Sequence, residues 1–151
     1  MSPSQERFLE FKLGEEAYAI PLLAVKEVIP VPETTALPQA KKEYVGIMNL
    51  RGQIISIVDL RSKLGIKAGD QTEEAVVIVE VHGVGVGLIV DSIEKVLNLD
   101  PQKICEVPEV SSQVNGKYIQ GVHQNSDYLV VLLDIASILN IDELMKLNQA
   151  A

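Results

Sequence analysis

The chain has 151 residues, a hydrophobic fraction of 47%, a mean hydropathy of +0.19 and a formal net charge of −8. That length can bury a full core as one domain or two small ones, and the longest run free of Asp, Glu, Lys and Arg, Val81 to Val90, is far short of the roughly 20 apolar residues of a spanning helix. Residues 1–71 hold nine basic and nine acidic side chains and residues 72–151 hold four and twelve, an asymmetry that opposes phosphate-backbone binding and reads either as a solubility feature or as a face for a basic partner.

Strand signals come first along the chain. Phe8 to Leu13 and Ala17 to Pro21, separated by Gly14-Glu15-Glu16, read as a hairpin. Val25 to Val31 is a third run, and Pro30, Pro32 and Pro38 turn its continuation into a loop or an edge strand. Val45 to Asn49 and Gln53 to Val58 flank the turn Asn49-Leu50-Arg51-Gly52. Leu60 to Leu64 then fits one short helical turn, with Asp59 as N-cap and Gly65 as the stop.

The second half repeats this plan. Ala75 to Val81, the turn His82-Gly83 and Val84 to Val90 lie 68 positions behind the first hairpin, and Ile93, Val96 and Leu97 answer Val25, Val28 and Ile29. From the fourth strand onward the offset is 75: Gly46 recurs as Gly121, Asp59 as Asp134, Ser62 as Ser137 and Leu64 as Leu139. The seven added residues fall between Asp100 and Lys117, where a long loop is expected. Only the turn at Asn49 to Gly52 is not copied; Gln124-Asn125-Ser126-Asp127 stands in its place. Asp142 to Gln149 predicts a short amphipathic helix, capped by Asp142, with Leu144, Met145 and Leu147 turned inward.

The pattern predicts an all-β fold of two five-stranded barrels on a shared apolar core, with short helices after the last strand of each and at the C-terminus. The barrels are expected over about residues 8–66 and 74–141, divided by the polar seam 67–74, within one domain spanning 1–151.

Most candidate chemistry fails on residue type. Asp59 and Asp134 are symmetric carboxylates, but each is followed by a Leu or Ile turn rather than the small residues of an aspartic-protease loop, so both read as helix caps. Gly83, Gly85 and Gly87 resemble a dinucleotide loop only superficially, because Leu88 stands where the third glycine belongs and a strand follows. His82 and His123 are too few for a metal site, and Cys105, the lone cysteine, has no basic neighbour to activate it and agrees with a reducing cytosol. No apolar signal core opens the chain, so export is not expected. A non-enzymatic protein with no metal and no cofactor is expected.

What remains is a binding surface. Gly52 permits positive φ and Asn49 tolerates it, so a tight turn can lift Leu50 and Arg51 off the barrel as an interface anchor. The alternative is that Leu50 packs between the barrels while Arg51 only pairs with a nearby carboxylate. Val25-Lys26-Glu27-Val28-Ile29 runs into Pro30, which leaves an edge open to a partner.

Four blocks carry a resemblance over most of the chain: Gly46 to Arg61, Val25 to Ile29, Gly87 to Val96, and Leu129 to Leu139. Together they are similar to the CheW family, the adaptor proteins of bacterial chemotaxis. The resemblance implies two SH3-like barrels and a non-enzymatic coupling scaffold. Its implied partners are the histidine kinase CheA, through that kinase's regulatory domain, and the cytoplasmic tips of methyl-accepting chemoreceptors. It also implies a cytoplasmic protein recruited to receptor arrays at the inner membrane. Arg51 and Glu27 match family positions linked to receptor coupling, with Val25, Ile29, Asn49 and Leu50 in the same groove; it assigns no kinase-contact residues. An adaptor of another receptor–kinase pathway, such as pilus-driven motility, or a CheV-type module would share the same signature.

Overall fold

The structure is a computed structural model that describes residues 6–36, 41–67, 69, 73–105, 116–125 and 127–149. Among these residues ten strands form: β1 (Glu6–Leu13), β2 (Glu16–Pro21), β3 (Val25–Pro30), β4 (Tyr44–Leu50), β5 (Gln53–Asp59), β6 (Ala75–Val81), β7 (Val84–Val90), β8 (Ser92–Leu99), β9 (Ile119–Asn125) and β10 (Tyr128–Leu133). Among the described residues there are also three short α-helices, α1 (Leu60–Leu64), α2 (Ile135–Ile138) and α3 (Ile141–Gln149), and three single turns of 3-10 helix. Every strand and helix of the repeat therefore falls where the two offsets put it.

The pairing does not follow the two halves of the sequence. One sheet has the order β8-β1-β2-β10-β9 and the other β3-β6-β7-β5-β4. Each sheet thus takes a hairpin from one repeat and three strands from the other. The expected barrels over 8–66 and 74–141 are corrected accordingly, since the hairpins β1–β2 and β6–β7 have changed places. Both exchanges are sealed by a parallel pair, β2 with β10 and β5 with β7.

Each sheet is closed on itself by a strap. The chain leaving β3 returns to β4, where Thr35 and Ile47 exchange two backbone hydrogen bonds of 2.9 Å. Cys105 and Val122 do the same against β9, again at 2.9 Å. The strap explains the copied glycine. A Cβ on Gly46 would lie 2.5 Å from the Thr35 carbonyl oxygen, and one on Gly121 would lie 3.1 Å from that of Cys105. Only a residue without a side chain lets the backbone cross this closely.

Alternation along the strands sorts three apolar clusters. Leu9, Phe11, Leu13, Tyr18 and Ile20 of the first barrel meet Val77, Val79, Val86, Leu88 and Val90 of the second, and this shared core also takes Leu60, Ile135 and Leu144 from the helices. Phe8, Ala17, Ala19, Leu97, Val130 and Leu132 fill the first barrel. Ile55, Ile57, Val76, Ile78 and Ile89 fill the second, with Ile29, Met48 and Leu50 packed against them. A strand contributes to both layers because its side chains alternate faces.

The caps of α1 are as predicted. Asp59 accepts from the Arg61 and Ser62 amides, and Gly65 closes the helix at φ 73°. The bonds from Gly65 N to Ser62 O and from Ile66 N to Arg61 O complete a Schellman stop. The C-terminal helix differs from expectation. Asn140, not Asp142, caps it, with Oδ1 accepting from the Glu143 amide at 3.2 Å, and Met145 is exposed rather than inward. An asparagine one residue before the helix reaches that amide, and Leu144 alone takes the fully buried position.

Candidate functional site

The uncopied turn is tighter than four residues. Asn49 and Leu50 belong to β4, and only Arg51 and Gly52 connect it to β5. Both have positive φ, 52° and 86°, which is the type I′ geometry whose twist suits a two-residue hairpin. The left-handed residue is therefore Arg51, not Asn49. Asn49 stays in the strand and its Oδ1 accepts from the Gly52 amide at 2.8 Å. An arginine in this region is strained by its Cβ, and the turn holds it there. His82-Gly83 builds the same turn between β6 and β7, with φ 51° and 78°.

Arg51 reaches from the end of β4 to β3, the opposite outer strand of the same sheet. Its Nη1 donates to Glu27 Oε1 at 2.5 Å and its Nη2 to Glu27 Oε2 at 2.9 Å. Two parallel bonds from a planar fork fix both side chains in direction as well as distance. The hydrogen bonds hold the Glu27 carboxyl below the usual carboxylate range and raise Arg51 above its ordinary value. The Arg51 side chain is 72% exposed and that of Glu27 28%, so the pair lies at the surface and adds little stability.

The remaining predicted residues divide. Val25 and Ile29 flank Glu27 in β3 but are half-buried, and a register shift between Val25 and Glu27 sends Val25 to the shared core while Ile29 packs on the interior of the second barrel. Leu50 is also half-buried in that interior, so it packs inside one barrel and neither between the two nor free in solvent. The apolar side chains near β3 that do face solvent are Val28, Val31 just past the strand and, in the turn before it, Leu23, which is 98% exposed. Their signal in the sequence is the period of two: Val28 alternates with Glu27 and Ile29, so it must point outward when they point in.

The other candidates settle into structural roles. Asp134 caps α2, accepting from the Ser137 amide at 3.3 Å and the Ser137 hydroxyl at 2.9 Å. Asp59 accepts from the amide and Nε of Arg61, both at 3.0 Å, as well as capping α1. Gly87 sits where a Cβ would be 2.7 Å from both Ile57 and Val76, so it serves packing in the second barrel and no phosphate. Among the described residues no group of three His, Cys, Asp or Glu side chains could hold a metal ion, and no helix is long and apolar enough to cross a membrane.

Comparison with known proteins agrees over nearly the whole length. The family model of the CheW-like domain matches residues 7–143. The chain is 34% identical to the chemotaxis protein CheW of Treponema pallidum, covering 97% of this chain and 91% of that one. It is 32% identical to the CheW of Klebsiella aerogenes, over 97% and 89%. The crystal structure of the scaffolding protein TtCheW from Thermoanaerobacter tengcongensis superimposes with a TM-score of 0.84 at 28% identity, covering 92% of this chain and 90% of that one.

Proposed function

The chain belongs to the family of CheW-like domains, and from that membership we propose that it is a coupling scaffold of bacterial chemotaxis, joining methyl-accepting chemoreceptors to the histidine kinase CheA. The observation that carries this reading is the extent of the match: residues 7–143 take in both barrels, so the whole paired fold corresponds to the scaffold module and not to a fragment of it. Such a protein works by geometry. It makes and breaks no bonds, and its effect depends on holding two partners in a fixed relation.

The Glu27–Arg51 fork is the receptor contact in this reading. It spans the two outer strands of one sheet and sets the outline of the rim there. Val25 and Ile29 seat β3 in the core beneath it, Asn49 and Leu50 seat the turn, and Val28 offers apolar surface beside it. A receptor's helical tip would meet a rim whose charges are already oriented, which lowers the ordering cost of docking.

The test is Arg51→Glu in an assembly rebuilt from this chain, CheA and receptor fragments. The variant should keep its far-UV circular dichroism and lose receptor control of kinase autophosphorylation. If it couples as well as the wild type, the rim assignment is wrong. Recovery of a different histidine kinase on affinity capture from cell extract would assign the scaffold to another receptor–kinase pathway.

A further inference from the structure

The mouth of the first barrel holds a cavity of about 650 Å³ with a largely charged polar lining. At its back is Glu10 on β1, only 2% exposed, in the register where the second barrel carries Ile78. The Tyr128 hydroxyl lies 3.1 and 3.0 Å from the two Glu10 oxygens and also accepts from Asn125 Nδ2 at 3.1 Å. One hydroxyl proton cannot satisfy both oxygens of a carboxylate, which has about four acceptor sites. Glu15, Glu16 and Glu94 add acidic groups to the lining against two cations, Lys12 and Lys95. Lys12 pairs with Glu94 at 3.7 Å, and the Lys95 ammonium lies 5.8 Å from the centre of the Tyr128 ring. Leu129, half-exposed, and Ala17 supply apolar wall.

The second barrel shows what this kind of mouth accepts. There the rim carboxylate Glu27 is filled from within, by the guanidinium of Arg51 on the β4–β5 turn. In the first barrel the position of Glu27 is taken by Lys95, the carboxylate has moved inward to Glu10, and the position of Arg51 in the repeat is Ser126. The acid is present, and the cation that faces it is Lys95 rather than an arginine.

We propose that the mouth of the first barrel is a docking pocket for an arginine side chain on a basic segment of a partner protein, with Glu10 receiving the guanidinium fork, the Tyr128 ring beside its plane and Leu129 against its methylene stem. The chemistry suits arginine better than lysine, because a planar donor fork can use both Glu10 oxygens and still lie against an aromatic face. The lining holds four carboxylates against two ammonium groups, a balance that favours approach of a basic segment. The pocket is separate from the Glu27–Arg51 rim and does not depend on the function assigned to it.

The experiment uses the full chain with ¹⁵N labelling and three probes: a capped alanine pentapeptide with arginine at its centre, the same peptide with neutral citrulline, and free arginine. The arginine peptide should shift the amide resonances of Glu10, Tyr128 and Leu129, the citrulline peptide should not, and free arginine should bind more weakly. Glu10→Gln, which keeps side-chain size and an acceptor for Tyr128, should weaken the peptide by about tenfold. Leu129→Ser, at the exposed wall where folding is not at stake, should weaken it by about threefold. Equal response to arginine and citrulline, unchanged affinity in Glu10→Gln and Leu129→Ser, or free arginine binding as tightly as the peptide would each overturn the proposal. In Arg51→Glu the shifts at Glu10, Tyr128 and Leu129 should persist, with any added shift confined to Glu27, which separates failure here from failure at the rim.

Discussion

Arg61 of α1 and Asp91, the residue between β7 and β8, form an ion pair at the point where the two repeats meet. Asp91 is 2% exposed, and its second oxygen accepts from the amides of Gly14 at 2.6 Å and Gly69 at 3.1 Å. Gly14 turns the hairpin of the first barrel, whereas Arg61 belongs to a helix that follows the second. One carboxylate therefore ties both barrels and the seam between them. Burial disfavours the Arg61 charge, but its hydrogen bonds to Asp59, Asp91 and Glu74 outweigh this and leave Arg61 raised.

Asp91→Ala should cost about 1–3 kcal/mol, because it leaves the Gly14 and Gly69 amides without their acceptor and removes one of the three carboxylates that hold Arg61. Asp91→Asn should cost less, since an amide oxygen can still accept from Gly14. Urea denaturation should rank the three proteins wild type, Asn, Ala.

Gly46→Ala should destabilise by about 1–3 kcal/mol, because its Cβ meets backbone at Thr35 and no flexible side chain can move aside. Gly52→Ala meets nothing within 4 Å and suffers only from its φ of 86°. Thermal melts of the two variants should differ in kind as well: only Gly46→Ala should loosen the strap, seen as faster exchange of the Thr35 amide.

Arg51→Asn separates stability from coupling. Asparagine tolerates positive φ, and Asn-Gly is a preferred type I′ pair, so the melting temperature should hold or rise slightly while the Glu27 fork is lost. Receptor control of the kinase should fall with it. Retained control would mean that the turn's shape, not the guanidinium, is what a receptor reads.

Acid should loosen α3. Glu143 accepts from the Tyr44 hydroxyl at 2.6 Å and pairs with Lys41 at 2.5 Å, and these contacts hold its carboxyl below the ordinary 4.5. A carboxyl lowered on folding contributes stability above its unfolded value and loses it as pH falls through the lower, folded one. Glu143→Gln should therefore lower stability near neutrality and flatten its decline below pH 4.5, measured by melts across the acid range.

The repeat was legible because its copied residues answer to steric demands that sequence displays directly. Gly46 and Gly121 lie under straps, and Asp59 and Asp134 cap helices, so each has few substitutes. The exchange of hairpins was hidden, because strand pairing joins residues far apart and leaves no mark in local alternation. Glu27 and Arg51 could be named singly, but their contact depends on closure of a sheet that brings its two outer strands together. Arg51 also disguised the turn, since arginine is a poor residue for positive φ and Asn49 appeared the better candidate. Glu10 stood between Leu9 and Phe11, where alternation places it on the opposite face and suggests solvent; the barrel closes over that face instead.

The exchanged hairpins also set a timetable. β1 and β2 leave the ribosome first, yet their neighbours in the sheet are β8 and β10, so the earliest strands wait for nearly the latest. The second barrel can pair completely once β7 has emerged, which makes it the template on which the first is assembled. Pairings of such sequence separation close slowly. During synthesis the N-terminal hairpin is an unpaired edge, and the molecule is most exposed to aggregation before its final strand arrives.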